Sequence, residues 1–459
     1  MKPRRRKNRH DQLTQTTLDD LWNDAVAWYK AGRLADAERL CRRMLSQQPR
    51  RPELLHLCGL LAFRQGRAAQ GIARLRDSVA VQDDYAPGWK DLGNMLHEEQ
   101  QLAEAEAAFR KLVELDPRDA DAYNNLGVVL KDQGRLDEAL AALRASLDLN
   151  PGSAAVLANL GRVLQRKQCW DQAVEAFRRV VQWEPNNADA HRRLVALLRT
   201  LARMDEARAA VQQWLAAEPD NAVAQHMSAA LGVNDAPPQA SEEYVRRVFD
   251  EAAGTFDQDL RSLGYRAPQW VAAAMVDVCG ETRPVWDVLD AGCGTGLCGP
   301  YLRPFARRLT GVDLSAGMLA RARALNLYDQ LVAAELTTYL QQQDAAFDWI
   351  VSTDTLIYFG ELGPVLSAAA GALRPEGHML FTVEKDVGRT PPEPGYRLNP
   401  NGRYSHSEVF VRQRIATAGL VVKELITGIL RQEADQNVVG FRILVSNCRT
   451  SSDSPATCH

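Results

Sequence analysis

The chain has 459 residues, of which 46% are hydrophobic and 25% charged, and its formal net charge is −3. That length suggests roughly two to four domains, and the composition is that of a soluble folded chain rather than a disordered or fibrous one. The near balance of charge gives no reason to expect nucleic acid as a partner. No apolar run reaches the roughly 20 residues of a membrane span.

The chain opens on a basic stretch, with Lys2, Arg4, Arg5, Arg6, Lys7 and Arg9 and no apolar run behind them. This reads as a solvated arm over residues 1–17 rather than a secretory signal. Next comes self-similarity. Pro49, Pro117, Pro151, Pro185 and Pro219 share one grid of 34 residues, with Asp83 in the open slot. Gly59, Gly93, Gly127 and Gly161 repeat at the same interval, as do Ala37, Gly71, Ala105, Ala139, Ala173 and Ala207. Each proline ends a helix, since it has no N–H to donate and clashes with the turn before it. Small residues at Gly93 and Ala105 let paired helices approach, and Trp89, Leu92 and Phe109 fill the space between neighbours. With its period of 34, the array resembles tetratricopeptide repeats. Six units are expected over residues 18–231, the last closed by a capping helix at Ala222–Leu231.

Such an array is a generic binding solenoid, so the resemblance implies a protein or peptide partner in its groove. Lys90, Asn94 and Asn125 resemble part of the clamp by which some tetratricopeptide domains hold a peptide carboxylate. Ala155 and Asn159 stand where that clamp needs bases. Arg162, Arg166, Arg192 and Arg199 make the C-terminal end basic, which points to an acidic partner; a solvated polar face is the alternative.

Gly232 to Ser241 is rich in proline and small residues and reads as a linker over 232–240. A helical segment over 241–280 follows, with Ser241 as its N-cap. Tyr244, Phe249 and Phe256 are either lid aromatics or ordinary core, and Tyr265-Arg266 is the better lid candidate.

From Trp286 strands alternate with helices, which argues a parallel α/β sheet, here over 281–448, with a disordered tail at 449–459. Strands are expected at Trp286–Asp290, Leu309–Asp313, Leu331–Ala334, Phe347–Ser352 and His378–Glu384. A Leu373–Gly377 turn precedes the last of these, and a hairpin at Leu420–Leu425 and Val438–Val445 closes the fold. After Leu289 the chain reads Asp290-Ala291-Gly292-Cys293-Gly294-Thr295-Gly296. Glycines there let a ligand approach the backbone, and the helix start that follows suits a polar group.

Two readings fit this turn. Gly294-x-Gly296-x-x-Gly299, with Asp313 about 20 residues on, fits a dinucleotide fingerprint. The other is Asp290, Gly292, Gly294 and Gly296 taken together, with Gly311-Val312-Asp313-Leu314-Ser315-x-x-Met318-Leu319 behind them. That pattern resembles the first two motifs of class I S-adenosylmethionine (SAM) methyltransferases. We prefer it because Asp290 precedes the first glycine, because the turn lies deep in the chain, and because the downstream segments agree. The expected architecture is therefore an α-helical repeat solenoid followed by a Rossmann-like α/β methyltransferase domain. Gly402-Arg403-Tyr404-Ser405-His406-Ser407 and Leu430-Arg431-Gln432-Glu433 resemble a bacterial group of predicted methyltransferases that carry such repeats.

The resemblance implies SAM as cofactor and methyl transfer from it. It places Asp290 at the methionine amino group, over the turn of Gly292, Gly294 and Gly296. Asp313 would take the ribose hydroxyls, Leu314 and Met318 would lie against the adenine, and Glu335, followed by Leu336, would receive its amino group. Thr353 opens the segment Thr353–Phe359, at the rim where cofactor and acceptor meet. The candidates for direct chemistry are Tyr358, Tyr404 and His406, with Glu384 as a further group at the acceptor mouth. His406 titrates in the right range for a base, although Ser405-His406-Ser407 also reads as a helix cap. Arg403 and Arg431 suit a carboxylate or phosphate. The segment lacks the Asn/Asp-Pro-Pro-Tyr/Phe pattern of amide methylation, which disfavours nucleic-acid bases and glutamine as acceptors. The eight cysteines show no zinc spacing and read as free thiols of a reducing cytoplasm. The methyl acceptor stays open. The alternative is a repeat scaffold with a non-catalytic SAM-binding domain.

Overall fold

The computed structural model describes residues 15–280, 282–388, 393–433 and 436–448. The basic arm up to residue 14 and the tail from 449 lie outside the described residues. The chain forms two compact units, Met1–Leu197 and Leu198–His459. The division falls within the sixth repeat, not at 232–240.

The first unit is helical: α1 (Gln15–Lys30), α2 (Leu34–Leu45), α3 (Pro52–Arg64), α4 (Ala68–Val81), α5 (Ala86–Glu98), α6 (Leu102–Leu115), α7 (Ala120–Asp132), α8 (Leu136–Leu149), α9 (Ala154–Arg166), α10 (Trp170–Trp183) and α11 (Ala188–Thr200), which crosses the division. Helix α1 therefore starts inside the stretch expected to be a solvated arm. The 34-residue grid has a packing cause. A Cβ on Gly93 would stand 2.7 Å from the Phe109 ring, and one on Gly161 would stand 2.9 Å from the Phe177 ring. The large residue 16 positions on fills the notch left by the glycine, so the two helices of a pair are locked at one height. Ser78 Oγ donates to Pro52 O and Ser146 Oγ to Ala120 O, both at 2.7 Å, which repeats one polar tie across two pairs.

The first helices of successive pairs are also tied. His56 Nε2 meets Asp91 Oδ2 at 2.7 Å, His97 Nε2 meets Asp132 Oδ2 at 2.7 Å, and Asn159 Nδ2 donates to Asn124 Oδ1 at 2.8 Å. The groove cations carry partners of their own. Arg162 and Arg192 both reach Asp189, at 3.7 and 2.8 Å, and Arg166 donates to Lys131 O at 2.6 Å. Lys90 stands 3.8 Å from Asp121.

The second unit begins with the end of α11, then α12 (Met204–Ala217) and α13 (Ala222–Ala230), whose cap is Asn221. Three helices follow, α14 (Glu242–Ala252), capped by Ser241, α15 (Phe256–Ser262) and α16 (Ala267–Cys279). The sheet domain then runs β1 (Trp286–Ala291), α17 (Gly299–Leu302), β2 (Ala306–Asp313), α18 (Ala316–Ala324), β3 (Gln330–Ala333), α19 (Leu336–Gln341), β4 (Phe347–Ser352), α20 (Gly363–Ala372), β5 (Leu373–Lys385), β6 (Tyr396–Leu398), β7 (Tyr404–His406), α21 (Glu408–Thr417), β8 (Leu420–Glu433) and β9 (Gln436–Asn447).

Strands β3-β2-β1-β4-β5 are parallel, β9 pairs antiparallel with β5, and β8 pairs with β9. Val288, Trp349 and Leu380 pack on one face with Val271, Met275 and Leu302, while Leu289, Ile350 and Phe381 pack on the other with Leu366 and Phe410. A sheet buried on both faces explains why its strands read as continuous apolar runs. The chain leaves β1 for β2 on one side and returns to β4 on the other, and the crevice at such a reversal is where open α/β sheets bind ligands.

Two expected elements differ. The Leu373–Gly377 turn survives only as an irregularity inside β5, where the β4 register jumps from Leu373 to His378 and Glu376 adopts φ 63°. The final hairpin is longer than its apolar core, so Arg431 and Glu433 lie on strand β8.

Candidate active site

The carboxyl ends of β1, β2 and β4 open on a cavity of about 1220 Å³, counted with its mouth. Asp290, at the end of β1, is buried, and Tyr328 Oη donates to its Oδ2 at 2.6 Å. Burial pushes its carboxyl up to about 7, against the pull of that hydrogen bond. Gly292 follows at φ +78°, and a Cβ there would stand 2.1 Å from Thr355 Oγ1. No other residue fits, because both the dihedral and the space are closed to a side chain.

Asp313 ends β2. Its Oδ2 accepts from the Gly294 N–H at 2.9 Å and its Oδ1 from the Ser315 N–H at 2.8 Å. These two N–H groups fix the carboxylate plane and leave a lone pair on each oxygen for a diol. Burial raises its carboxyl above the usual range, with the backbone N–H groups opposing. Glu335 caps α19 through the N–H groups of Thr337 and Thr338 at 3.0 and 2.7 Å, and Gln239 Nε2 reaches it at 3.3 Å.

Asp290, Gly292, Gly294, Asp313, Leu314, Glu335, Leu336, Thr353 and Tyr358 all line this one cavity. Five sequence candidates do not. Gly296 lies behind the turn, where a Cβ would meet Leu325 and Tyr328. Met318 is fully buried in the core, because its position on α18 faces inward, so of this pair only Leu314 lines the cavity. Tyr404 is fully buried and its hydroxyl donates to Pro237 O at 2.6 Å. His406 is fully buried on β7, with Nε2 2.9 Å from Phe359 O and 3.1 Å from Gly360 O. Burial lowers it to about 4, so it is neutral and serves as a strut beneath the Thr353–Phe359 segment rather than as a base. Ser407 does cap α21. Glu384 is likewise absent from the lining and stands behind the arginines.

Residues missed in the sequence complete the site. Tyr328 fits into space left by Gly296, Gly299 and Gly311, and so reaches Asp290. Asp250 on α14 accepts from Ser315 Oγ and, at 3.1 Å, from the Gly317 N–H, while Asp257 on α15 accepts from Thr295 Oγ1. These aspartates fasten the helical segment to the loops after β1 and β2. Phe249, Phe256 and Tyr265 line the cavity from above, whereas Tyr244 stacks on His226 instead, with centroids 3.9 Å apart. The stretch expected to be a linker is packed into the site. Pro238 O accepts from the Gly360 and Glu361 N–H groups at 2.9 and 2.8 Å, and Gln239 lines the cavity.

At the other end Asp354 adopts φ 52°, a left-handed conformation rare outside glycine and held here by its neighbours. Its N–H donates to Thr382 Oγ1 at 2.9 Å and its Oδ2 accepts from Arg431 Nη1 at 3.0 Å. Arg431 also meets Glu384 and, at 2.7 Å, Glu433; Arg403 meets Glu433.

The donor set fits the cofactor that the sequence resemblance implies. Three carboxylates at strand ends, a backbone cradle that any Cβ would fill and an apolar wall match an ammonium, a diol and a heterocycle. Comparison with known families agrees. A family profile described as "Methyltransferase domain" matches residues 289–381, and profiles described as "Tetratricopeptide repeat" match 59–119, 98–154 and 167–231. Malonyl-[acyl-carrier protein] O-methyltransferase of Yersinia pestis is 29% identical over 159 residues, 34% of this chain and 56% of that protein. The protein of the same name from Pseudescherichia vulneris is 37% identical over 139 residues, 30% of this chain and 53% of that protein. The chain thus spans about half the length of these curated relatives. A solved structure of MamA, from its residue 41 to the end, of Desulfovibrio magneticus RS-1 is 20% identical, with TM-score 0.35, covering 37% of this chain and 97% of that one. Motifs, sheet order and family matches together identify the chain as tetratricopeptide repeats joined to a class I, SAM-type methyltransferase domain.

Proposed function

We propose that the protein transfers the methyl group of SAM to an acceptor brought by a protein bound to its repeats. The observation that carries this reading is the convergence of Asp290, Asp313 and Glu335, from the ends of β1, β2 and β3, on one cavity. Asp290 would hold the amino group, Asp313 the ribose hydroxyls, and Glu335 with Leu314 and Leu336 the adenine. The bound cofactor supplies an electrophilic methyl. The chain's own part is to orient the acceptor near Thr353 and Tyr358 and to exclude water with Phe249, Phe256 and Tyr265.

The bacterial relatives act, by their names, on a malonyl group carried by a protein. That supports a protein-borne acceptor here. An acidic segment is the partner chemistry that Lys90, Arg162, Arg166 and Arg192 suit, with Asp189 displaced from Arg162 and Arg192, which it now pairs. We place the reaction in the cytoplasm, in keeping with free cysteines such as Cys41, Cys293 and Cys298.

The test is label transfer from methyl-labelled SAM in cell extract supplemented with the full chain. Label should appear in a protein-sized acceptor, vanish with Asp313→Ala and fall with Arg162→Glu/Arg192→Glu. No transfer above the extract's own, or transfer indifferent to Asp313→Ala, would count against the reading.

A further inference from the structure

The acceptor end of the cavity has an unusual inventory. Among the described residues its lining holds no histidine and no lysine. Burial pushes the thiols of Cys293 and Cys298 far above their ordinary range, so neither is a thiolate at neutral pH. Asp354 is paired with Arg431. Tyr265, whose hydroxyl bonds Thr353, is pushed up by burial and stays a phenol. Tyr358 brings a phenol, which donates and accepts hydrogen bonds. Among the described residues this end holds no imidazole, amine or unpaired carboxylate to take a proton from a neutral hydroxyl, so the acceptor must arrive already nucleophilic.

The two arginines that line this end are not equivalent. Arg431 has a 2% exposed side chain and gives its guanidinium nitrogens to Asp354, Glu384 and Glu433. Arg403 keeps a 25% exposed side chain and, among the described residues, bonds one carboxylate, Glu433, with Glu384 at 3.8 Å. Burial works against its charge, but the carboxylates of Glu433 and Glu384 favour it, and the guanidinium stays protonated. Glu384 and Glu433 lie behind the guanidinium groups, outside the lining. A guanidinium that lines the cavity, with its carboxylate partners outside the lining and donors left over among the described residues, is a site for an oxyanion.

The turn that carries Arg403 is held from the last helices of the repeat array, all within the second unit. His226 on α13 bonds Gly402 O through Nε2 at 2.8 Å, and Arg199 Nη1 donates to Pro400 O at 2.9 Å. Tyr244 stacks on His226 and leaves Gly402 no room for a side chain, since a Cβ would stand 2.8 Å from its hydroxyl. Inside the turn, the Arg403 N–H donates to Asn401 Oδ1 at 3.0 Å.

We infer that Arg403 anchors a carboxylate-bearing acceptor, and that His226, on the capping helix of the repeats, is a positioning residue acting through the 399–403 turn. The inference rests on the methyl-transfer reading. A carboxylate oxygen forms the new O–C bond as the methyl's bond to the donor sulfur breaks, and the sulfur keeps that electron pair. The anion becomes a neutral ester, the sulfonium a neutral thioether, and no proton moves. That balance explains a site without a base, and loss of two opposite charges is favoured where water is excluded.

The experiment is titration of the full chain, saturated with S-adenosylhomocysteine (SAH), with glutarate and with dimethyl glutarate. Glutarate should bind and the neutral diester should not. Arg403→Met should weaken glutarate at least tenfold, Arg403→Lys should recover part of it, and His226→Phe should weaken it several-fold, with SAH affinity within twofold in all three. Absence of glutarate binding to the SAH complex, equal binding of the diester, or binding indifferent to Arg403→Met would overturn the inference while leaving methyl transfer standing. Absence of SAH binding would bring down both. Loss of SAH binding in the His226 variant alone would mark that residue as structural and overturn its positioning role.

Discussion

Tyr328 Oη donates to Asp290 Oδ2 at 2.6 Å, and the ring that carries it occupies space left by Gly296, Gly299 and Gly311. The glycines after β1 thus serve two purposes, a backbone cradle facing the cavity and a slot for a tyrosine behind it. Tyr328→Phe keeps the packing and removes the donor. A hydrogen bond to a charged group contributes roughly 1.5–3 kcal/mol, and part of it persists in both free and bound states. SAH affinity should fall roughly three- to tenfold, measured by calorimetry, with little change in melting temperature.

Asp290 also sets a pH dependence. Its folded value of about 7 lies above the roughly 3.9 of an unfolded aspartate. The folded state therefore holds the proton more tightly, and the empty protein loses stability as pH rises from about 4 through 7. A bound ammonium relieves that cost. The SAH-induced rise in melting temperature should be larger at pH 8 than at pH 6, and binding near pH 6.5 should release a proton. Asp290→Asn should abolish both effects.

Asp250 fastens α14 to the loop after β2 through Ser315 Oγ and the Gly317 N–H. Asp250→Ala removes both bonds without touching the cavity wall. The expected result is faster SAH release, by roughly tenfold for two lost charge-assisted bonds partly replaced by water, read by stopped-flow fluorescence.

In the first unit Phe109 fills the notch at Gly93 and is 1% exposed. Phe109→Ala should cost roughly 3–5 kcal/mol, seen as a lower urea midpoint. Because repeat stability is set by nearest neighbours, Phe177→Ala at the equivalent position should cost about the same.

Much of this was legible in the chain. The 34-residue grid exposes the repeats because one Gly–Phe or Gly–Leu notch recurs in each pair. The continuous apolar runs of β1, β2 and β4 mark a sheet covered on both faces, and an acid at the end of each of β1 and β2 marks the cavity. Strand parity was the weak point. Tyr404, Ser405 and His406 are all buried on a three-residue strand, so no alternation tells which side chain faces the site. The histidine turned to the backbone carbonyls of Phe359 and Gly360, and the arginine just before the strand faces the cavity. Contacts between distant segments were invisible as well. Tyr328 with Asp290, Asp250 with Ser315, and His226 with Gly402 leave no local periodicity. Only the folded sheet and helices bring them together.

The most direct measurement is calorimetric titration of the full chain with SAH and with NADH, repeated on Asp313→Ala. SAH should bind at one site per chain, Asp313→Ala should weaken it at least tenfold, and NADH should not bind. A chain that binds no adenosyl ligand, or that prefers NADH, would contradict the central claim.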